Sequence, residues 1–247
     1  MASDLFALNP ALDRPALAAE FARVGRIQVR DVLTAESARE LRAVLAQHTR
    51  WGMAMSAAHV EGGKPRYLRA EALATEGGRQ QAQAMGVATN EAAAQGRYAY
   101  RYASYPMLEA YLGRWDEGSP HDLLLEHLNA PDFLQLARDV TGMDDLVKAD
   151  AQATLYAGQH FLALHNDSHV EEQWRIAYVL NLTSDDWRPD WGGYLVFYDE
   201  EGDIVQGFRP RFNALNMFRV PMKHAVTFVP PFAPVGRFAV TGWLRAG

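Results

Sequence analysis

The stretch LALHNDSHV, residues 162–170, ends a short apolar run in His165, Asn166 and Asp167. Read as a strand, positions i and i+2 share a face, so the spacing predicts that His165 and Asp167 project together while Asn166 turns away. An imidazole beside a carboxylate is two thirds of a set that holds a redox metal with coordination positions left open. Among the eight histidines, His224 in MKHAVTFV is the best third member, 57 residues beyond Asp167 on another predicted strand. Two imidazoles and one carboxylate on one side of Fe(II) leave three positions for a chelating cosubstrate and oxygen. His160 and His169 compete for ligation. His169 shares strand parity with Asp167, but DSHVEEQWR is polar and reads as a loop, which assigns that histidine to support or exposure. A lone His-x-Asp pair arises easily by chance, and it gains weight only in company with suitable partners downstream.

RFAVTGW, residues 237–243, is a strand pattern in which Arg237, Ala239, Thr241 and Trp243 share a face. An inward guanidinium requires an anion, and its planar fork suits a carboxylate. The proline-rich loop VPPFAPVG joins this strand to that of His224, so Arg237 is expected at the end of the hairpin remote from His224. A small dicarboxylate that chelates the metal at one end and pairs with Arg237 at the other fits that layout. Tyr98, Tyr100 and Tyr102 in RYAYRYASY share a strand face that lines a pocket or packs on the core. Tyr178 in IAYVLNL is open between facing the cosubstrate and facing an outer layer. Trp191, Gly192 and Gly193 read as a turn and bulge rather than chemistry.

Elements able to position these residues emerge from periodicity. GRIQVRDVL predicts a strand over 26–33, and Thr34 then caps a helix with Ala38, Leu41, Val44 and Leu45 on its apolar face. Residues 59–120 are rich in alanine and glutamine, interrupted by Gly62-Gly63 and Gly77-Gly78, and read as helical decoration plus one excursion strand. Asp132 to Val140 forms a helix that stops near Gly142. From there the period falls to two, and KADAQATLYA, HFLALHND, WRIAYVLNL, GGYLVFYD, DIVQGF, ALNMFRV, KHAVTFV and RFAVTGWL read as eight strands. So many short strands predict a sandwich or barrel with the upstream helices on its outer face, a mainly β fold with flanking helices (α+β).

Composition narrows the classes. The 247 residues are 49% hydrophobic and 22% charged, as expected of one folded domain. The absence of cysteine excludes disulfides, iron–sulfur clusters and thiol nucleophiles. A net charge of −6 argues against a nucleic-acid or anionic-lipid partner. No apolar run is long enough to span a bilayer and no signal peptide is evident, so a soluble cytoplasmic protein is the expectation.

H165-N-D167, H224-A-V and R237-F-A-V-T241-G-W243, preceded by Y156-A-G-Q-H-F-L-A-L, together resemble the Fe(II)- and 2-oxoglutarate-dependent oxygenases, in particular their prolyl-hydroxylase-like branch. The resemblance covers residues 151–247 and implies a double-stranded β-helix, or jelly roll, with an N-terminal strand–helix layer. It implies one oxygenase domain over 1–247, organised as an N-terminal strand and helix (1–58), a helical and aromatic insertion (59–120), a support helix (121–150) and the catalytic core (151–247). By the same resemblance His165, Asp167 and His224 bind Fe(II), Arg237 pairs with the distal carboxylate of 2-oxoglutarate supported by Thr241, and Tyr156 lies near the cosubstrate. Trp243 falls close to the metal, where with Tyr98, Tyr100 and Tyr102 it would meet substrate. The implied reaction hydroxylates a C–H bond with Fe(II), 2-oxoglutarate and dioxygen, releases succinate and carbon dioxide, and takes ascorbate as an accessory reductant. The implied substrate is a prolyl residue in a protein or peptide. The alternatives are a free amino acid or other small molecule, or a cupin-like metal-binding sensor without turnover. Thirteen positions separate His224 from Arg237, more than the family's usual gap.

Overall fold

The computed structural model describes residues 5–57, 66–167, 173–184 and 186–247. The chain enters through helix α1 (Arg14–Val24), strand β1 (Arg26–Arg30) and helix α2 (Ala35–Gln47). Thr34 caps α2 by accepting a hydrogen bond from the Ser37 amide, and Ala38, Leu41, Val44 and Leu45 are its buried face, as its spacing predicts. Next come β2 (Gly52–Ala57), β3 (Arg66–Leu68), α3 (Ala70–Leu73), α4 (Glu76–Ala94), β4 (Ala99–Tyr105) and α5 (Met107–Leu112). Helices α6 (Pro120–Leu128) and α7 (Pro131–Thr141) complete the helical layer. Proline opens α7 at a position whose amide needs no helical partner, and Gly142 closes it in the left-handed conformation at φ 68°. Phe133, Leu136, Ala137 and Val140 form its buried stripe.

Nine strands complete the chain: β5 (Leu146–Ala149), β6 (Gln152–Tyr156), β7 (Phe161–His165), β8 (Trp174–Asn181), β9 (Leu195–Tyr198), β10 (Ile204–Phe208), β11 (Ala214–Arg219), β12 (His224–Val226) and β13 (Arg237–Ala246). The eight expected strands are present, with KADAQATLYA divided between β5 and β6. The break falls at Asp150, whose amide donates to the Trp243 carbonyl (3.1 Å) while its carboxylate accepts the Trp243 amide (2.7 Å) and the Arg245 guanidinium (2.7 Å). The strands form one mostly antiparallel sheet in the order β1-β11-β8-β13-β6-β4-β7-β12-β9-β10, curled into a nearly closed barrel of jelly-roll type. Strand β4 is no excursion. It bridges β6 and β7 and so completes the wall beside His165.

The two sides of β8 show how the layers divide. Ile176, Tyr178, Leu180 and Leu182 point outward into the core shared with the helices, while Ala177 and Val179 point inward among Leu195, Phe197, Phe218 and Ala239. Tyr178 therefore belongs to the outer layer, where its hydroxyl donates to the Asp150 carbonyl (2.7 Å) and its ring meets Phe133 edge-on. Gly242 permits this layer to press on β13 closely, since a Cβ there would lie 2.0 Å from the Asp150 carbonyl oxygen. No helix among the described residues is long and apolar enough to cross a membrane.

Candidate active site

His165 closes β7 and His224 opens β12, and the antiparallel register sets them directly opposite each other with ring centroids 4.0 Å apart. Asp167 joins them by a route the strand period does not describe. Strand β7 ends at His165, and the chain then turns through Asp167 at φ 55°, a left-handed conformation that aspartate tolerates better than most residues. The turn brings Asp167 Oδ1 within 3.2 Å of His165 Nε2 and Oδ2 within 3.5 Å of His224 Nε2.

Hydrogen bonding fixes which nitrogens face the centre. His165 Nδ1 lies 2.9 Å from the Ala163 carbonyl, and His224 Nδ1 lies 2.7 Å from the Met222 carbonyl. A carbonyl can only accept, so both imidazoles carry a proton on Nδ1 and turn Nε2 inward. Burial, and after it the neighbouring His165, holds the pKa of His224 down at about 4. Burial opposes ionisation of Asp167, but its hydrogen bond to His165, the proximity of His224 and a hydrogen bond from Trp243 together keep its pKa below the ordinary carboxylate value. Trp243 Nε1 donates to Asp167 Oδ2 at 3.0 Å, and the face of Trp243 stacks on Trp174 at 4.0 Å and 7°. Two imidazoles and a carboxylate thus turn their ligand atoms toward one another, within the 4.8 Å span of groups able to hold a metal ion. This donor set fits Fe(II).

The same cavity, of about 290 Å³, reaches Arg237 at its inner end. Arg237 is 2% exposed, and its Nη2 makes a long bond to Asn181 Oδ1 (3.4 Å) while Nε and Nη1 have no partner. Burial lowers its pKa to about 10, an effect countered by Tyr156, so the guanidinium stays charged near neutrality. A buried cation with two unmatched N–H donors fits an anionic group such as the carboxylate of 2-oxoglutarate. Tyr156 pairs with Arg237 across β6 and β13 and lies under the guanidinium at 5.2 Å. Burial raises its hydroxyl pKa well above the usual value, so it remains a neutral donor. Thr241 lines the same wall.

Tyr98, Tyr100 and Tyr102 connect the two ends. Tyr98 is 5.6 Å from His165, successive rings lie 5.8 and 5.5 Å apart, and Tyr102 stacks on Tyr156 at 5.0 Å. His160 stands outside the cluster, its Nδ1 engaged by the Ala157 amide and the Leu155 carbonyl, both at 3.1 Å. His169 and Gly62-Gly63 lie outside the described residues. The expected turn at Trp191-Gly192-Gly193 is present, with Gly192 and Gly193 at φ 61° and 67°. Sequence reasoning missed Asn181 and Trp174. Asn181 was detectable as a polar residue in the inward register of an apolar strand.

Residues 151–245 match the model of the 2OG-Fe(II) oxygenase superfamily. No curated protein sequence matches the chain significantly. Among solved structures, a Pseudomonas putida prolyl-4-hydroxylase superposes with TM-score 0.58 at 16% identity, covering 95% of this chain and 99% of that one. A Trichoplax adhaerens prolyl hydroxylase, solved with a peptide fragment of the hypoxia inducible factor oxygen degradation domain, gives 0.58 at 14% identity, over 94% and 89% of the two chains. The non-heme alpha-ketoglutarate-dependent epimerase SnoN of nogalamycin biosynthesis gives 0.54 at 15% identity, over 96% and 84%. These likenesses establish the shared fold. Through residues 151–245 the chain is similar to the 2OG-Fe(II) oxygenase superfamily.

Proposed function

We propose that this enzyme hydroxylates a prolyl residue in a protein or peptide, with His165, Asp167 and His224 holding Fe(II) and Arg237, Tyr156 and Thr241 holding 2-oxoglutarate. One observation carries the reading. A single cavity joins three converging acceptor groups at one end to a buried, under-bonded guanidinium at the other. When bound, the metal and cosubstrates supply C–H hydroxylation coupled to decarboxylation of 2-oxoglutarate to succinate and carbon dioxide.

The chain's own work is positional. The Ala163 and Met222 carbonyls keep both Nε2 atoms aimed inward, and Trp243 fixes the rotation of the Asp167 carboxylate. Arg237 and Tyr156 orient the far carboxylate, while apolar walls such as Leu195, Phe218 and Val226 keep water from the reacting end. Tyr98, at the rim and 38% exposed, and Tyr100 behind it offer ring faces to a pyrrolidine. The prolyl hydroxylase fold neighbours, one solved with a peptide, support this choice of substrate. On this reading residues 151–247 are the catalytic core, and the upstream residues support it and shape its mouth.

The test is to incubate the enzyme with host-cell lysate, Fe(II) and 2-oxoglutarate and to map 16-dalton additions by peptide mass spectrometry. A hydroxyprolyl peptide that disappears with Asp167→Ala is the expected result. Turnover of free proline or another metabolite, with no modified peptide, would instead assign a small-molecule hydroxylase.

A further inference from the structure

The sheet that wraps the cavity has two ends, β1 and β10, and they meet through side chains. Arg26 Nε donates to Gln206 Oε1 (2.5 Å), and Gln28 Nε2 donates to the Arg209 carbonyl (3.1 Å). Beside this seam runs a groove of about 770 Å³ that brings together Arg30, Arg209 and Arg211 with Tyr194 and a single acid, Glu20. It shares no lining residue with the catalytic cavity.

Three guanidinium groups in one groove are unexpected in a chain of net charge −6. Among the described residues none of the three forms an ion pair, and Glu20 forms none either. Arg209 Nε is buried without a partner. The groups also feel one another: the pKa of Arg211 is held below its ordinary value by burial and then by Arg209 and Arg30. A solvated surface arginine would swing clear of such neighbours, but Arg211 is tethered through its side chain and Arg209 through its backbone carbonyl. Gln28 Oε1 accepts from Arg211 Nε (3.0 Å), and Gln28 Nε2 also bonds Asn216 Oδ1 (2.9 Å), so one glutamine fixes both arms of the Arg209-Pro210-Arg211 turn. The turn is anchored beyond by Asn213, whose side chain bonds the amide and carbonyl of Leu33 (2.9 and 2.8 Å). Arg30 arrives at the same corner because its register partner is Ala214.

We propose that this groove binds a small, multiply charged oxyanion, a phosphate or polycarboxylate, between Arg30, Arg209 and Arg211. The Arg211 Nε is already spent on Gln28, which leaves its two terminal nitrogens as a fork toward the groove. An anion held there links the end of β1 to the turn between β10 and β11, and so ties together the two edges of the barrel.

Titration calorimetry and thermal unfolding of the full metal-free chain, with pyrophosphate and citrate against sodium chloride at matched ionic strength, test this. Pyrophosphate or citrate should raise the midpoint above chloride, and whichever gives the larger rise separates phosphate from polycarboxylate chemistry. Arg209→Gln combined with Arg211→Gln should weaken binding roughly tenfold or more. Arg30→Gln, at an exposed strand end, should weaken it less and serves if the double variant folds poorly. Succinate formation should be unchanged in each variant. A midpoint no higher than in chloride, or equal anion binding by Arg30→Gln and the parent, would overturn the proposal.

Discussion

His224 and His160 are alike in one respect: burial holds each pKa at about 4. Their regions differ in what remains for the ring to do. Where β7 meets β12, Nδ1 of each histidine is taken by a carbonyl two residues earlier in its own chain, and Nε2 turns toward the Asp167 carboxylate. In the turn from Ala157 to His160 the backbone engages Nδ1, and no metal-holding group of the described residues includes this ring. Burial and weakened basicity therefore do not separate a proposed metal ligand from a structural histidine. The partner of the second nitrogen does.

The most severe way to break this contrast is Asp167→Ala, which should abolish iron retention and succinate formation while circular dichroism still reports a folded barrel. Metal analysis showing a full complement of iron in that variant would reject the proposed ligand set. Next in size, if Arg237 pairs with 2-oxoglutarate as proposed, Arg237→Ala should leave that carboxylate without its partner, a loss of about 2–5 kcal/mol. Apparent affinity for 2-oxoglutarate should collapse with iron binding intact. Saturation at the parent's concentration would dissociate Arg237 from the site. Trp243→Phe keeps an aromatic face against Trp174 but removes the hydrogen bond to Asp167. A roughly 10–100-fold loss of iron affinity is expected from such an outer partner, and unchanged affinity would show that the Asp167 rotamer is held by the turn alone.

The smallest effect sharpens the contrast from its other side. His160→Asn should bind iron and turn over as the parent does, and its signature should be in stability against pH. Between pH 6.5 and about 4 the unfolded imidazole is protonated while the folded one stays neutral, so the parent loses stability as pH falls through this window. The contribution is at most about 3 kcal/mol. Urea midpoints at pH 7 and pH 5 should drop less in the variant. An equal drop would mean that His160 is not the group responsible.

Much of this architecture was readable because period-two patterning survives wherever one face of a strand is buried. WRIAYVLNL and RFAVTGWL sort inward and outward residues as alternation requires, and Arg237, Ala239, Thr241 and Trp243 do share the inner wall. The elements that escaped notice carry weak patterns. Helix α1 buries a single residue, Phe21, and β2 reads GMAMSA, with no β-branched residue to mark it. The role of β4 as an interior strand depends on pairing with β6 and β7, some 50 residues later, which no local window contains. The neighbourhood of His165 and Asp167 was anticipated, but its cause was not. A left-handed turn at Asp167, rather than an extended strand, brings the carboxylate round, and backbone sign is not encoded in hydrophobic spacing. Asn181 was passed over because asparagine near a strand end reads first as a turn signal.

The gradient of exposure along the tyrosine wall, from Tyr98 at 38% to Tyr156 at 4% and Arg237 at 2%, has a kinetic meaning. A cosubstrate destined for Arg237 has to travel past the rings that would receive the substrate. On the proposed reading of the site, loading is sequential, with 2-oxoglutarate first and the hydroxylation target second, and succinate departs after the hydroxylated product has cleared the rim. A target supplied in large excess would occupy the rim of the empty enzyme and bar the way, so steady-state rates should pass through a maximum as target concentration rises. Raising 2-oxoglutarate should shift that maximum to higher target concentration.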